Sequence, residues 1–414
     1  MTGALAPRDA RRRVAVLLLI VFVDLLGYGI LIPLIPFYAV RLGLAPGWVT
    51  LVIALHSLMQ FLGAPVLGRL SDRHGRRPVL IISMAGHALA YLLLTVADSL
   101  PLLVLSRLLS GVTAANLAAA YAYITDVTPP GQRAAGLARL SAAFALGFAL
   151  GPAVGGLLAG NASPVSADLV RPAIAAGALS LLAVLGIVLF LPESHPAVTG
   201  GGPRPQGPAP RRLELLRDGV LALMITLALT VLTFASMRES LLSLWLHDRL
   251  AFDTHRIGLV FTVNGLAIAL VQSTITGRAA QRFGEMRTLR AGILAYGLSW
   301  LGLVLAPGLG WVLAAIGVGA LGTALFGTSL QTLVSLRASS TTRGAVMGLY
   351  QSGASLARFC GAAFSGTLYG ALGHDVPFLL GATVMPPALL LTVAIAARLR
   401  SARRDDRRSR TMKR

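Results

Sequence analysis

The sequence predicts an all-α membrane protein with twelve transmembrane helices in two pseudo-symmetric six-helix bundles. Three observations predict this class. Hydrophobic residues make up 55% of the 414 residues and charged residues only 13%, about half the charged share of a soluble domain. Apolar runs long enough to cross a bilayer recur along the whole chain. A motif that begins at Gly68 returns in degraded form at Gly277, 209 residues later, and duplicated halves are a known way of building polytopic membrane proteins.

The apolar runs fall at 14–38, 47–68, 79–97, 100–124, 135–159 and 171–191, then at 219–246, 255–276, 288–306, 311–335, 344–369 and 376–398. Arg8, Arg11, Arg12 and Arg13 ahead of the first run resemble the basic start of a signal peptide. The run itself is too long for one and no small-residue cleavage site follows, so it reads as an uncleaved span. The longest polar interruption, 192–218, contains Gly200-Gly201-Gly202-Pro203 and further prolines. It reads as a flexible linker. The expected organisation is a cytoplasmic N-terminus (1–13), a first bundle (14–191), the linker (192–218), a second bundle (219–398) and a basic tail (399–414), irregular and close to anionic lipid.

Topology follows from the basic residues. With the N-terminus inside, the inner segments hold 29 Lys or Arg and the outer loops four, Arg41, Arg171, Arg249 and Arg256. Arg107, Arg238 and Arg358 fall within spans. Such a bias places both termini on the cytoplasmic side and requires an even number of spans. It also accounts for the net charge of +20 without nucleic acid, because the cations are dispersed between apolar runs. Cys360 is the sole cysteine, which excludes an intramolecular disulfide and a cysteine-based metal site. The sole lysine is Lys413, so no phosphate-binding P-loop exists. Neither His-Glu-x-x-His nor Gly-x-Ser-x-Gly occurs, and no enzyme activity is expected.

The first repeat reads Gly68-Arg69-Leu70-Ser71-Asp72-Arg73-His74-Gly75-Arg76-Arg77. Gly68 and Gly75 suit close approach and a tight turn, and Asp72 is an anion suited to a neighbouring helix N-terminus. In the second copy Gln281 replaces the Asp, while Glu285 and Met286 replace the Arg pair. The run 147–156 carries Gly147, Gly151, Pro152, Gly155 and Gly156. Three of its glycines line one helix face at four-residue spacing for close packing, and Pro152 removes a backbone donor.

The Gly68–Arg77 run resembles the loop 2–3 signature of the major facilitator superfamily, and the resemblance covers nearly the whole chain. It implies that Gly68, Asp72, Arg73, Gly75, Arg76 and Arg77 latch the two halves during alternating access. The Gly147–Gly156 run is similar to the antiporter motif of drug/proton exporters in that superfamily, with Ala138 where an earlier glycine would stand. Arg107-x3-Gly111 resembles the motif whose Arg is linked to proton coupling, and snorkelling to the boundary is its alternative. Asp24-Leu25-Leu26-Gly27-Tyr28-Gly29, with Pro33 and Pro36, looks like span one of tetracycline/proton antiporters. Asp126, Arg133 and Pro192-Glu193-Ser194-His195 fit that group too. The chain departs from it at Ala90 and near Tyr296, where the group has Asp; His87 lies one turn from Ala90. Drug export is therefore implied without tetracycline being implied.

Residue by residue, Asp24 lies about 15 Å into the first span, where an isolated carboxylate is costly unless paired, hydrated or protonated. Asp24, Arg107 and Glu239 are the proton-coupling candidates. Glu239 and Arg358 form a candidate ion pair, and Arg238 can snorkel. His56, Asn116 and Gln351 are candidate cavity residues, beside Gln60, Asn264, Gln272 and Gln331. The expectation is a monomeric secondary transporter of the bacterial inner membrane. It would bind a small amphipathic substrate and protons, use the proton gradient as its energy source, and need no metal or cofactor. Import of a metabolite by proton symport, and a non-transporting sensor on the same scaffold, are the alternatives.

Overall fold

The computed structural model describes residues 7–114, 116–129, 132–160, 163–194, 218–338 and 342–412. Most of the expected linker, 195–217, lies outside them. Every regular element among the described residues is helical. The first eight helices are α1 (Pro7–Leu31), α2 (Ile35–Arg41), α3 (Pro46–His74), α4 (Arg76–Leu93), α5 (Leu100–Thr113), α6 (Asn116–Val127), α7 (Arg133–Ala159) and α8 (Val170–Phe190). After the linker come α9 (Gly219–Leu250), α10 (Thr254–Val271), α11 (Gly277–Phe283), α12 (Glu285–Val304), α13 (Leu309–Arg337), α14 (Arg343–Leu372) and α15 (Val376–Met412). Nine helical segments among the described residues are long and apolar enough to cross a membrane, and Leu100–Thr113 is a shorter apolar helix.

Local chemistry explains the interruptions. Pro33 lies within the break between α1 and α2 and Pro36 in the first turn of α2, where Pro is tolerated because its missing N–H has no helical partner. A single π-turn, Gln272–Thr276, joins α10 to α11. Its Ser273 hydroxyl donates back to the Ala269 carbonyl at 2.9 Å and that of Thr276 to Val271 at 3.2 Å. The tail expected to be irregular continues α15 as helix to Met412, in keeping with the helix propensity of its Ala and Arg residues.

Both copies of the repeat make the same junction. α3 ends at His74 and α4 starts at Arg76, with Gly75 at φ +97° between them. α11 ends at Phe283 and α12 starts at Glu285, with Gly284 at φ +83°. A positive φ is open to glycine without a Cβ clash, so the sharp reversal survives in the degraded copy. Gly68 behaves otherwise. A Cβ there would meet open space, so the close approach expected of it is absent, and only Gly75 is used for backbone geometry.

The chain groups into two compact units. The first takes α1 to α8 together with Glu239–Leu266 and Ala362–His374. Within it α1 packs on α7 and α8, α3 on α5, and α4 on α8 and α5. The glycine face of α7 produces the tightest of these contacts. A Cβ at Gly147 would lie 2.5 Å from the Phe22 carbonyl, one at Gly151 would lie 2.6 Å from Gly29 Cα, and one at Gly155 would strike the Ile30 carbonyl. A buried cluster that includes Leu17, Val79, Leu80, Ile124, Leu140 and Ile187 fills the Gly75 end of this unit. On α8, Leu181, Leu182, Leu185 and Leu189 are exposed, as a lipid-facing helix requires. In the second unit α12 packs on α13 and α15, with Gly292 and Gly322 at the α12–α13 crossing.

Candidate functional site

Asp24 is 2% exposed and its Oδ1 lies 2.9 Å from His87 Nδ1. The expected cost of an isolated carboxylate is thus met by pairing, and the partner comes from α4. Ser83, His87 and Tyr91 follow at four-residue spacing, so they share one face of α4, and all three are buried. The His87 ring stacks on Tyr91 at 5.8 Å between centroids. The Tyr91 hydroxyl and Ser83 Oγ are buried without a hydrogen-bond partner among the described residues.

Arg107 on α5 is 1% exposed, which rules out snorkelling in this conformation. Its Nη2 donates to Ser106 Oγ at 3.1 Å, and its Nε is buried without a partner. Tyr91 lies within electrostatic range of both Asp24 and Arg107, so the two halves of the candidate coupling site share a neighbour. His56 on α3 meets Ser110 Oγ at 3.1 Å through Nδ1 and stacks on Tyr28 at 5.3 Å. Phe148 adjoins Tyr28 at 6.2 Å and stacks on Phe144 at 6.3 Å. These half-buried rings form an aromatic row across α3, α1 and α7.

At the Gly75 end, Arg76 is the hub. Its Nη1 meets Asp72 Oδ1 at 2.6 Å and its Nε meets Asp126 Oδ2 at 3.4 Å. Asp72 is not the anion at the helix N-terminus, contrary to expectation. Its side chain is 73% exposed. Glu193 fills that place, accepting from the Arg76 N–H at 2.8 Å and the Arg77 N–H at 3.0 Å. The Arg77 side chain donates to the Val188 carbonyl at 2.7 Å, and Ser194 Oγ lies 3.3 Å from Asp126. Arg73 is exposed in the last turn of α3.

The opposite end of the first unit is closed by α10 and α14. The Gly366 N–H donates to Thr50 Oγ1 at 3.0 Å, and Thr254 Oγ1 donates to the Gly160 carbonyl. Gly258 packs against the Pro152 carbonyl, and a Cβ at Gly156 would come 2.7 Å from the Thr254 carbonyl. The glycine motif therefore has two faces. Gly147, Gly151 and Gly155 meet α1, whereas Pro152 and Gly156 meet α10.

In the second unit Arg238 does not snorkel. It is 7% exposed, with its guanidinium 4.6 Å from the Tyr296 ring centroid and 5.8 Å from that of Trp300. Its Nη1 donates to Ser299 Oγ at 3.2 Å. Two rings and a hydroxyl offset the cost of burying this cation. Arg358 is half-buried, and its Nη2 donates to Ser355 Oγ at 2.9 Å. Glu239 and Gln351 are exposed. The side chain of Asn116 lies outside the described residues.

His87 and Glu193 carry the contacts that sequence reasoning did not assign. The four-residue spacing of Ser83, His87 and Tyr91 is the signal that could have found the first.

A sequence model described as Major Facilitator Superfamily matches residues 17–253 and 236–413. The chain is 34% identical to the tetracycline resistance protein, class G, of Vibrio anguillarum, over 87% of this chain and 91% of that one. It is 29% identical to the bovine (Bos taurus) major facilitator superfamily domain-containing protein 10, over 94% of each. Among solved structures it is similar to the nucleoside transporter NupG, at a TM-score of 0.78 and 14% identity over 92% of this chain and 98% of that one. It is also similar to the human organic anion transporter MFSD10, at 0.67 and 24% over 94% and 100%. These two share the fold.

Proposed function

The chain belongs to the major facilitator superfamily and is a multi-pass membrane protein, and from that premise we propose that it exports a small amphipathic compound or drug in exchange for protons. The observation that carries this reading is the buried Asp24–His87 pair, with Tyr91 within electrostatic range of both Asp24 and the buried Arg107. Ionisable groups are costly at such depth and are retained where they bind or relay ions. The tetracycline resistance proteins among the relatives, at 34% and 31% identity, support export over import, as does the glycine motif of α7.

The proposed cycle is alternating access between two halves, 14–191 and 219–398, with both termini on the cytoplasmic side of the inner membrane and the monomer as the working unit. Under that topology the ends of α3 and α7 closed by α14 and α10 face outward, and the Arg76 hub faces the cytoplasm. The hub is the proposed latch. Protons entering at the Asp24–His87 pair drive substrate out, and the aromatic row of His56, Tyr28, Phe148 and Phe144 offers flat apolar surfaces to a substrate.

The test is a susceptibility screen of a strain lacking this protein against diverse drugs, with accumulation measured with and without a protonophore. Export predicts increased sensitivity in the deletion strain and increased accumulation when the gradient collapses. Loss of accumulation on collapse identifies import by symport and overturns the export reading.

A further inference from the structure

We propose that His87 is a proton-carrying residue of this transporter, so that the exchanged proton resides on a buried carboxylate–imidazole pair and not on Asp24 alone. The proposal rests on the export reading and deepens it.

The geometry supplies the pair. Asp24 and His87 are 63 residues apart, on α1 and α4, and meet at 2.9 Å with side chains 3% and 5% exposed. The partner of His87 is a carboxylate on a neighbouring helix, buried together with the ring. With Nδ1–H donated to Asp24, Nε2 is the nitrogen that takes up the proton. One N–H bond forms on loading and breaks on release. On release the lone pair returns to Nε2.

The surrounding charges make that step consequential. α1 contributes Asp24 and Tyr28, α4 contributes His87 and Tyr91, and α5 contributes Arg107, while His56 lies beyond on α3. Ionisable residues on α7 and α8 are confined to Arg133, Arg139 and Arg171, near helix ends, and α6 carries Tyr121, Tyr123 and Asp126. Asp24 and Arg107 both lie within electrostatic range of Tyr91, and a proton on His87 adds one positive charge to this buried set. Arg107 Nε and the Tyr91 hydroxyl, both buried without hydrogen-bond partners, are the groups placed to respond.

The experiment labels the histidine rings of the detergent-purified full chain with 15N and follows them by NMR against pH. The chain has seven histidines, and the His87 signal is assigned by its loss in His87→Gln. The expected result is a transition from neutral to protonated ring whose midpoint changes in Asp24→Asn. In reconstituted vesicles given ethidium or tetracycline, His87→Gln should change the pH profile of proton-driven uptake, not only its maximum. His87→Asn, which also keeps a side-chain amide, guards against loss of fold. A ring that stays neutral throughout, a titration indifferent to Asp24→Asn, or an unchanged pH profile overturns the proposal. If the wild type carries neither probe, the export reading loses its support, and the ring titration alone decides whether the pair holds a proton.

Discussion

Glu193 caps the first turn of α4 from outside the helix, its two carboxylate oxygens accepting the N–H groups of Arg76 and Arg77 at 2.8 and 3.0 Å. The first N–H groups of a helix have no partner within it, and the positive end of the helix dipole favours an anion there. The carboxylate comes from the segment after α8, so the cap ties α8 to the α3–α4 junction. Glu193→Ala is expected to lower stability by about 1–2 kcal/mol, read as a lower unfolding temperature of the purified protein. An unchanged temperature would show that water serves those N–H groups equally well.

Asp72 makes the contrasting case. Its bond to Arg76 is short, at 2.6 Å, but its side chain is 73% exposed, and exposed ion pairs contribute little to stability. Asp72→Asn is therefore expected to leave the unfolding temperature unchanged and to cut transport strongly. Transport at the wild-type rate, at normal expression, would remove the proposed latch role.

Gly151 and Gly68 separate packing from motif membership. A Cβ at Gly151 would lie 2.6 Å from backbone atoms of Gly29, whereas one at Gly68 would meet nothing within 4 Å. Gly151→Ala is expected to cost about 1–3 kcal/mol, since backbone cannot retreat as a flexible side chain can. Gly68→Ala should be neutral or slightly stabilising, because alanine loses less conformational freedom in a helix. Equal unfolding temperatures for the two variants would contradict the α1–α7 contact.

The sequence made the spans legible because hydropathy is a local property; the bounds of α7 and α8 follow the apolar runs closely, while α3 continues past its run to His74. The junction at Gly75 was legible for a similar reason, since a glycine between two helical runs signals a turn. The contacts of Asp24 and Glu193 were not. Each reaches a partner more than sixty residues away; the spacing of Ser83, His87 and Tyr91 marks a polar face of α4 but does not pair it with Asp24, and nothing local assigns Glu193 to the start of α4. The burial of Arg238 was equally hidden. Snorkelling and a cation–π seat use the same side chain, and only the packing of α9 against Tyr296 and Trp300 selects between them.

Asp218 gives a pH test outside the spans. Burial raises its pKa, but the Arg337 side chain at 2.6 Å and the backbone N–H groups of Val220 and Leu221 outweigh that, leaving it below the usual aspartate value of 3.8. A carboxyl held lower in the folded state stabilises above the unfolded value, and that stabilisation fades as pH falls through the folded one. Wild type should therefore unfold at a higher temperature than Asp218→Asn near neutrality, with the gap closing below about pH 4. A gap that persists unchanged into acid would mean that the charge of Asp218 contributes nothing.

Asp24→Asn tests coupling itself. Asparagine keeps the size of the side chain and can still meet the His87 ring, but it carries no charge. The variant leaves a protonated His87 ring without the carboxylate that meets it at 2.9 Å. Substrate binding depends on other groups under the proposed function, so it should survive. The expected outcome is that substrate-induced proton release from purified protein is largely lost. Exchange of substrate down its own gradient should persist. If the variant releases protons as the wild type does across the same pH values, Asp24 does not couple the two fluxes, and the exposed Glu239 on α9 becomes the next carboxylate to test.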